Sequence, residues 1–323
     1  ESDSEHPTVI DVGTNDCAML RMFPDYWNRI GVEPAKNINW SEARKEGCFI
    51  FNDYFSAELF QPWILPKFTG ADVITCCACF YDMNEPNKVT SDIKKLLKPA
   101  GIAVIQVSYL LNTIKDMNYY DYTFEHLLYF SFETFEELMN KNGLSVFDCE
   151  LNDVNGGSIC FYITHMERNI SKTSRCKKIS ANERKYKLNN SQTYKNFQTE
   201  IQINSKKIYD YIVEENKNGL VVGIGPSTKG NMLLQVCNIT KDILPIISER
   251  SEIKIGLKTL GTDIDLVDED KVRRLKPRCM FVMPWNFKAE IETRERKFIE
   301  DGGKLLYAMP YPYVLTKNGK FKL

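Results

Sequence analysis

The chain has 323 residues, 43% hydrophobic and 26% charged, with 42 basic and 43 acidic side chains for a formal net charge of −1. That is the balance of a soluble globular protein long enough for two domains, and it lacks the basic footprint of a nucleic-acid binder. No apolar run reaches the length of a membrane span, and the acidic, polar start is not a secretory signal. The first element is an apolar strand over Thr8–Val12, running into the turn Gly13-Thr14-Asn15-Asp16 and a helix start at Met19 and Leu20. A strand, a glycine turn and a helix start present backbone N–H groups and the positive end of a helix dipole to an anionic or polar ligand. The stretch lacks the second and third glycines of the dinucleotide fingerprint GxGxxG.

A short strand over 29–32 ends at Glu33 and is closed by Pro34. An acid at the end of a second strand, roughly twenty residues after the glycine turn, is placed to accept both ribose hydroxyls of a nucleoside. The alternative is a solvated strand-end carboxylate. A third strand, 48–51, puts Asp53 where the adenine edge would lie, and a fourth, 71–80, is nearly continuous in apolar or small residues, as in a strand buried on both faces. Its cluster Cys76, Cys77 and Cys79, within ten cysteines overall, is read as buried thiols of a reducing, cytoplasmic compartment rather than as zinc ligands or disulfides. A helix closes over 94–97, and 102–107 is a fifth strand, so the repeated strand, turn and helix imply a parallel sheet. A further helix is expected over 133–142.

Residues 167–218 are rich in Lys, Asn, Ser and Glu. Tyr194, Phe197, Ile201, Ile208, Tyr211 and Ile212 recur there at roughly helical spacing, which predicts a linker followed by a bridging helix. A second α/β unit begins at 220–224 and turns through Gly225-Pro226-Ser227-Thr228-Lys229-Gly230. This is not a P-loop, but it places N–H groups, Ser227 and Lys229 at a helix start, where a diphosphate would be held. A unit that only packs, with Lys229 solvated, is the other reading. Further strands are expected over 243–248, 280–283 and 304–309.

Asp11-Val12-Gly13 resembles the first motif of S-adenosylmethionine (SAM)-dependent methyltransferases, in which the acid before the glycine helps to hold the amino-acid end of the cofactor. Leu96-Leu97-Lys98-Pro99-Ala100-Gly101, followed by an apolar strand, is similar to another motif of those enzymes. The phrases Glu125-His126-Leu127-Leu128-Tyr129-Phe130-Ser131, Gly143 to Asp148, and Asn155-Gly156-Gly157-Ser158-Ile159 resemble the sugar C-methyltransferase family. That family includes enzymes that add a methyl branch to C3 of nucleotide-linked 4-keto-deoxysugars. Its second domain is matched by Lys229-Gly230-Asn231, Gly261-Thr262, Met283-Pro284-Trp285-Asn286 and Gly302-Gly303-Lys304.

The resemblance, running from about Val9 to Pro310, implies an α/β fold: a class I SAM-methyltransferase Rossmann-like domain over 1–165, a linker and bridging helix over 166–218, and a smaller Rossmann-like domain over 219–323 that binds the nucleotide sugar. It implies SAM as cofactor, held by Asp11, Gly13, Asn15, Glu33, Asp53 and Cys77, and no metal. His126 is the implied base, with Glu125 supporting it and Tyr122 the next candidate. The implied substrate contacts are Asn155, Gly156, Ser158, Ser227, Lys229, Asn231 and Trp285. The chain departs from the family in carrying Thr123-Phe124 where Tyr-His is usual and Asn155 in place of a histidine. The family's N-terminal cysteine-rich zinc module is also missing, so further modules are expected ahead of this chain in the same polypeptide. O- or N-methylation of a sugar stays open, as does a non-catalytic sugar-nucleotide-binding module of a larger glycan-building polypeptide.

Overall fold

The computed structural model describes residues 6–61, 65 and 68–323. It divides into two compact units, Glu1–Leu110 with Leu127–Leu188, and Leu111–His126 with Asn189–Leu323.

The first unit is built on a seven-stranded sheet. Its strands are β1 (Thr8–Val12), β2 (Asn28–Val32), β3 (Phe49–Phe51), β4 (Ala71–Cys77), β5 (Leu97–Ser108), β6 (Leu144–Asn152) and β7 (Ser158–His165). The order is β3-β2-β1-β4-β5-β7-β6, with β1 to β5 parallel and β7 antiparallel to both of its neighbours. This is a Rossmann-like α/β arrangement of the kind the resemblance implies. Every residue of β1 is buried, as its run of apolar side chains on both faces requires. Because β1 neighbours both β2 and β4, the strand order reverses there, and ligands of such sheets bind at the carboxyl ends beside that reversal. Register levels those ends: Val12 pairs with Val32 on one side and Cys76 on the other, and Val32 pairs with Phe51.

Two strand ends differ from the sequence expectation. β4 stops at Cys77 because Ala78 takes φ +57, and Phe80 already belongs to a short 3-10 turn. β5 begins at Leu97 and runs through Pro99, with a register irregularity opposite, between Ala71 and Val73. A proline has no N–H for the ladder, so a strand that contains one is accommodated at such an irregularity.

The helices, in chain order, begin with α1 (Ser41–Lys45), α2 (Pro86–Leu96), α3 (Leu110–Lys115), α4 (Phe132–Lys141) and α5 (Ser174–Tyr186). α4 starts at the N-cap Ser131, whose hydroxyl and that of Thr134 form a reciprocal capping box. Glu183 of α5 also reaches this helix start, accepting the N–H groups of Phe132 at 2.6 Å and Glu133 at 3.1 Å. The first part of the expected linker is therefore a helix fastened into the first unit. Beneath α4, Phe135 stacks on Phe161 with centroids 3.9 Å apart, and it meets Phe130 and Phe80 edge-on. Phe135→Ala is expected to lower the unfolding free energy by about 3–5 kcal/mol, the transfer and cavity cost of a fully buried phenylalanine. Chemical denaturation measures it, and a loss below about 1 kcal/mol would show that these rings do not carry the packing.

In the second unit the strands are β8 (Val221–Ile224), β9 (Ile246–Glu249), β10 (Asp265–Asp268), β11 (Cys279–Val282), β12 (Lys304–Tyr307), β13 (Tyr313–Thr316) and β14 (Gly319–Lys322). Their order is β10-β9-β8-β11-β12-β13-β14, five parallel and then two antiparallel. This unit also contains α6 (Ser191–Asn216) and α7 (Thr228–Val236). Phe197, Ile208 and Ile212 of α6 share one apolar core with Leu233 and Leu234 of α7, and with Tyr119 and Tyr120. Those two buried tyrosines explain why 111–126 groups with the second unit instead of with the residues on either side of it. The domain division expected from sequence, 1–165, 166–218 and 219–323, thus differs from the grouping of contacts at 111–126 and at both helices of the middle segment.

Candidate functional site

The carboxyl ends of β1 to β4 enclose a cavity of about 1020 Å³. Of the residues singled out as cofactor ligands, Gly13, Asn15, Glu33, Asp53 and Cys77 line it. Phe55, Leu59, Met83 and Val89 add an apolar wall that the sequence did not disclose.

Glu33 organises the rim. It is 8% exposed, and its Oε2 accepts the N–H of Asn15 at 2.9 Å while Oε1 accepts that of Ala35 at 2.9 Å. Each carboxylate oxygen can accept more than one hydrogen bond, so the same group can still receive a pair of ribose hydroxyls. Asn15 is in the left-handed region, φ +47, and its carbonyl accepts the indole N–H of Trp40 at 2.7 Å. Asn52 holds the far side of the rim by donating to the carbonyls of Glu33 and Ala35. It stands one residue before Asp53, yet no periodicity or motif marked it. Asp53 is exposed, and its Oδ1 accepts the N–H of Tyr54 at 2.7 Å.

Gly13 is needed for two reasons that only coordinates reveal. Its φ is +71, and a Cβ built on it would lie 2.7 Å from the Sγ of Cys79. Cys79 in turn lies 3.1 Å, sulfur to sulfur, from Cys76 and 3.2 Å from the carbonyl of Val12. The hydrogen bond with Cys79, together with burial, pushes the Cys76 thiol well above its ordinary range, and burial pushes Cys77 up to about 12. Both are held as thiols.

Asp11 is set back from the cavity and does not line it. It is 3% exposed, its Oδ1 accepts the hydroxyl of Thr75 at 2.6 Å, and burial raises its pKa against that hydrogen bond. Here it ties β1 to β4 behind the glycine turn.

A methyl donor that carries a nucleoside fits this cavity. The rim offers a carboxylate for the ribose hydroxyls, an apolar wall for the base, and a glycine turn without a side chain in the way.

Asn155 and Gly156 lie in the turn before β7, and Ser158 is the first residue of that strand. Asn155 has φ +54, Ser158 donates to the carbonyl of Val154 at 2.8 Å, and Ser158 pairs with Ser108 at the carboxyl end of β5. They occupy the same end of the sheet as the cavity but do not line it.

The remaining candidates are gathered in the second unit. A 3-10 turn, Tyr119–Asp121, leads to His126, which is half-buried. The Nδ1 of His126 lies 2.9 Å from the backbone carbonyl of Asp121, and its N–H donates to Thr123. A carbonyl only accepts, so Nδ1 carries the proton and Nε2 is the basic nitrogen of the neutral ring. Glu125 is exposed, while Tyr122 packs near Phe197 and burial pushes its phenol up to about 12.

Lys229 meets Asp121, with Nζ 2.5 Å from Oδ1, and lies 5.1 Å above the ring of Tyr120. The Tyr120 hydroxyl donates to Asn286. Trp285 contacts Tyr120 edge-on, with centroids 6.4 Å apart. Ser227 is the N-cap of α7 and accepts the N–H of Gly230 at 3.0 Å, while Asn231 donates to the Ser227 carbonyl at 3.2 Å. The Asp121–Lys229 pair was not found from sequence, since neither residue lies in a motif that names the other. Among the described residues no group of three His, Cys, Asp or Glu side chains could hold a metal ion, and no helix is long and apolar enough to cross a membrane.

Two family models match the chain. Residues 1–148 match the family described as a methyltransferase domain, and residues 153–310 match the C-methyltransferase C-terminal domain. The C-methyltransferase NovU of Streptomyces niveus is 28% identical over 313 residues, covering 95% of this chain and 73% of that protein. Among solved structures, a 16S rRNA adenine methyltransferase from Catenulisporales acidiphilia with SAM is 17% identical, with a TM-score of 0.38 over 50% of this chain and 86% of its own. The YcgJ protein of Bacillus subtilis is 15% identical, with a TM-score of 0.36 over 49% of this chain and 89% of its own.

Proposed function

We propose that this chain, which matches a methyltransferase domain and a C-methyltransferase C-terminal domain, is a SAM-dependent C-methyltransferase that methylates a carbon beside the ketone of a nucleotide-linked deoxysugar, with His126 as the base. The observation that carries the reading is the pairing, in one chain, of a nucleoside-sized cavity at the ends of β1 to β4 with the C-methyltransferase C-terminal domain. Glu33 would receive the ribose hydroxyls, the wall around Phe55 and Leu59 the adenine, and the turn at Gly13 the amino-acid end, with Asp11 supporting that turn from behind. When bound, SAM supplies an electrophilic methyl group on a sulfonium.

His126 takes the proton. A carbon next to a carbonyl becomes nucleophilic when a base removes its hydrogen, and the neutral imidazole offers Nε2 for this while Nδ1–H remains on the Asp121 carbonyl. The sugar as acceptor is supported by the phrases around His126 and Asn155.

The test is transfer of labelled methyl from SAM to a panel of nucleotide-linked keto-deoxysugars, with carbon-13 NMR of the product. A new methyl resonance on a ring carbon is expected. An O-methyl or N-methyl resonance would replace carbon by oxygen or nitrogen as the acceptor, and no transfer to any nucleotide sugar would favour a binding module.

A further inference from the structure

Asp121 and Lys229 form an ion pair whose carboxylate is buried, five residues before the proposed base, and motif reasoning assigned Lys229 to a diphosphate instead. We propose that the two act together as positioning residues for His126: their pair clamps the turn from Tyr119 to His126, so that the Asp121 carbonyl holds the imidazole Nδ1–H and Nε2 is presented as the base. This rests on the reading of His126 as the base.

Four observations within the second unit carry it. The Asp121 side chain is 4% exposed and that of Lys229 25%, with 2.5 Å between the charged atoms. A carboxylate so buried needs its cation, because breaking a buried pair leaves an uncompensated charge. Lys229 stands in the first turn of α7, which the Ser227 cap holds in shape, and its ammonium rests over Tyr120, itself bonded to Asn286.

The segment between Asp121 and His126 closes on itself. The Asp121 carbonyl accepts both the Thr123 N–H at 2.8 Å and His126 Nδ1, and the His126 N–H returns to the Thr123 carbonyl at 3.1 Å. Any displacement of Asp121 therefore moves the acceptor that selects the tautomer. Finally, Tyr119 and Tyr120 are each 2% exposed in the core shared with α6 and α7, so the turn enters the clamp from a fixed point. Holding a phosphate through Lys229 would instead draw the ammonium away from Asp121, against the same burial.

The experiment uses the full chain labelled with nitrogen-15 histidine. The three histidines are His6, His126 and His165, so a His126→Gln spectrum assigns the ring of interest. Wild-type protein should show His126 protonated at Nδ1 and unprotonated at Nε2 when neutral.

In Asp121→Asn and in Lys229→Met the ring should become a mixture of tautomers. kcat should fall roughly 10- to 100-fold at unchanged KM, the scale of a misplaced catalytic group. Affinity for SAM by calorimetry should stay at the wild-type value, which reports an intact first unit. The double variant, which leaves no lone buried charge, should fold as stably as wild type and lose no more activity than either single variant, as residues acting as a unit do. Lys229→Arg should restore most of the activity.

An unchanged tautomer with unchanged kcat in the double variant overturns the proposal. So does a rise in KM for the nucleotide sugar at constant kcat in Lys229→Met, which is the behaviour of a phosphate contact. Full activity in His126→Gln would refute the base assignment separately, since the tautomer is read without turnover.

Discussion

Replacing His126 with alanine lowers methyl turnover by roughly 10²- to 10⁴-fold, the usual contribution of a positioned general base, while affinity for SAM stays within a few-fold. The two effects separate because His126 belongs to the second unit, whereas every residue lining the cofactor cavity lies in the first. Cofactor affinity is read by calorimetry and turnover by labelled methyl transfer. Survival of turnover with a normal pH profile would mean that the base is another group. Tyr122, the next candidate, is a poor replacement: burial holds its phenol up at about 12, so very little phenolate exists at neutral pH to accept a proton. Glu125 is exposed, and its removal should matter far less than that of the imidazole.

Gly13→Val abolishes detectable SAM binding, a loss of at least about 100-fold in affinity, or roughly 2.8 kcal/mol. Two strains act at once. A β-branched residue is forced to φ +71, where its Cβ crowds the backbone, and that Cβ would sit 2.7 Å from Cys79 Sγ. Relief by rotating the turn would pull the Asn15 N–H from Glu33, and relief by moving Cys79 would displace the cavity wall. In a Cys79→Ala background the 2.7 Å contact with sulfur is gone, while a 3.2 Å approach to the Cβ of residue 79 and the backbone strain remain, so part of the affinity should return. Undiminished affinity in a folded Gly13→Val protein would show that the cofactor does not use this turn.

Sequence alone determined the features that rest on local signals. Continuous apolar runs marked β1 and β4, the acid before Pro34 marked the end of β2, and Gly13 marked the turn between strand and helix, because burial on both faces and left-handed backbone both restrict the residue types allowed. Matched strand ends then followed from a parallel sheet, which is why Gly13, Glu33 and Asp53 could be brought to one rim on paper, whereas Asn15, Cys77 and Asp11 came only from the family resemblance, and Asp11 stands behind the rim. β10 and β14 could not be read. Asp265-Leu266-Val267-Asp268 and Gly319-Lys320-Phe321-Lys322 have little apolar periodicity, and their ladder partners hold them extended.

Only the tertiary structure decided which distant groups meet. Nothing local links Glu183 to the start of α4, Asn52 to the Glu33 carbonyl, or Lys229 to Asp121. The reason for Gly13 also changed in part, from approach of a ligand to approach of Cys79. The segment 111–126 left the unit that flanks it because Tyr119 and Tyr120 find their burial against α6 and α7. Aromatic burial and charge pairing depend on what lies across space, and a chain's order of residues does not state that until the chain is folded.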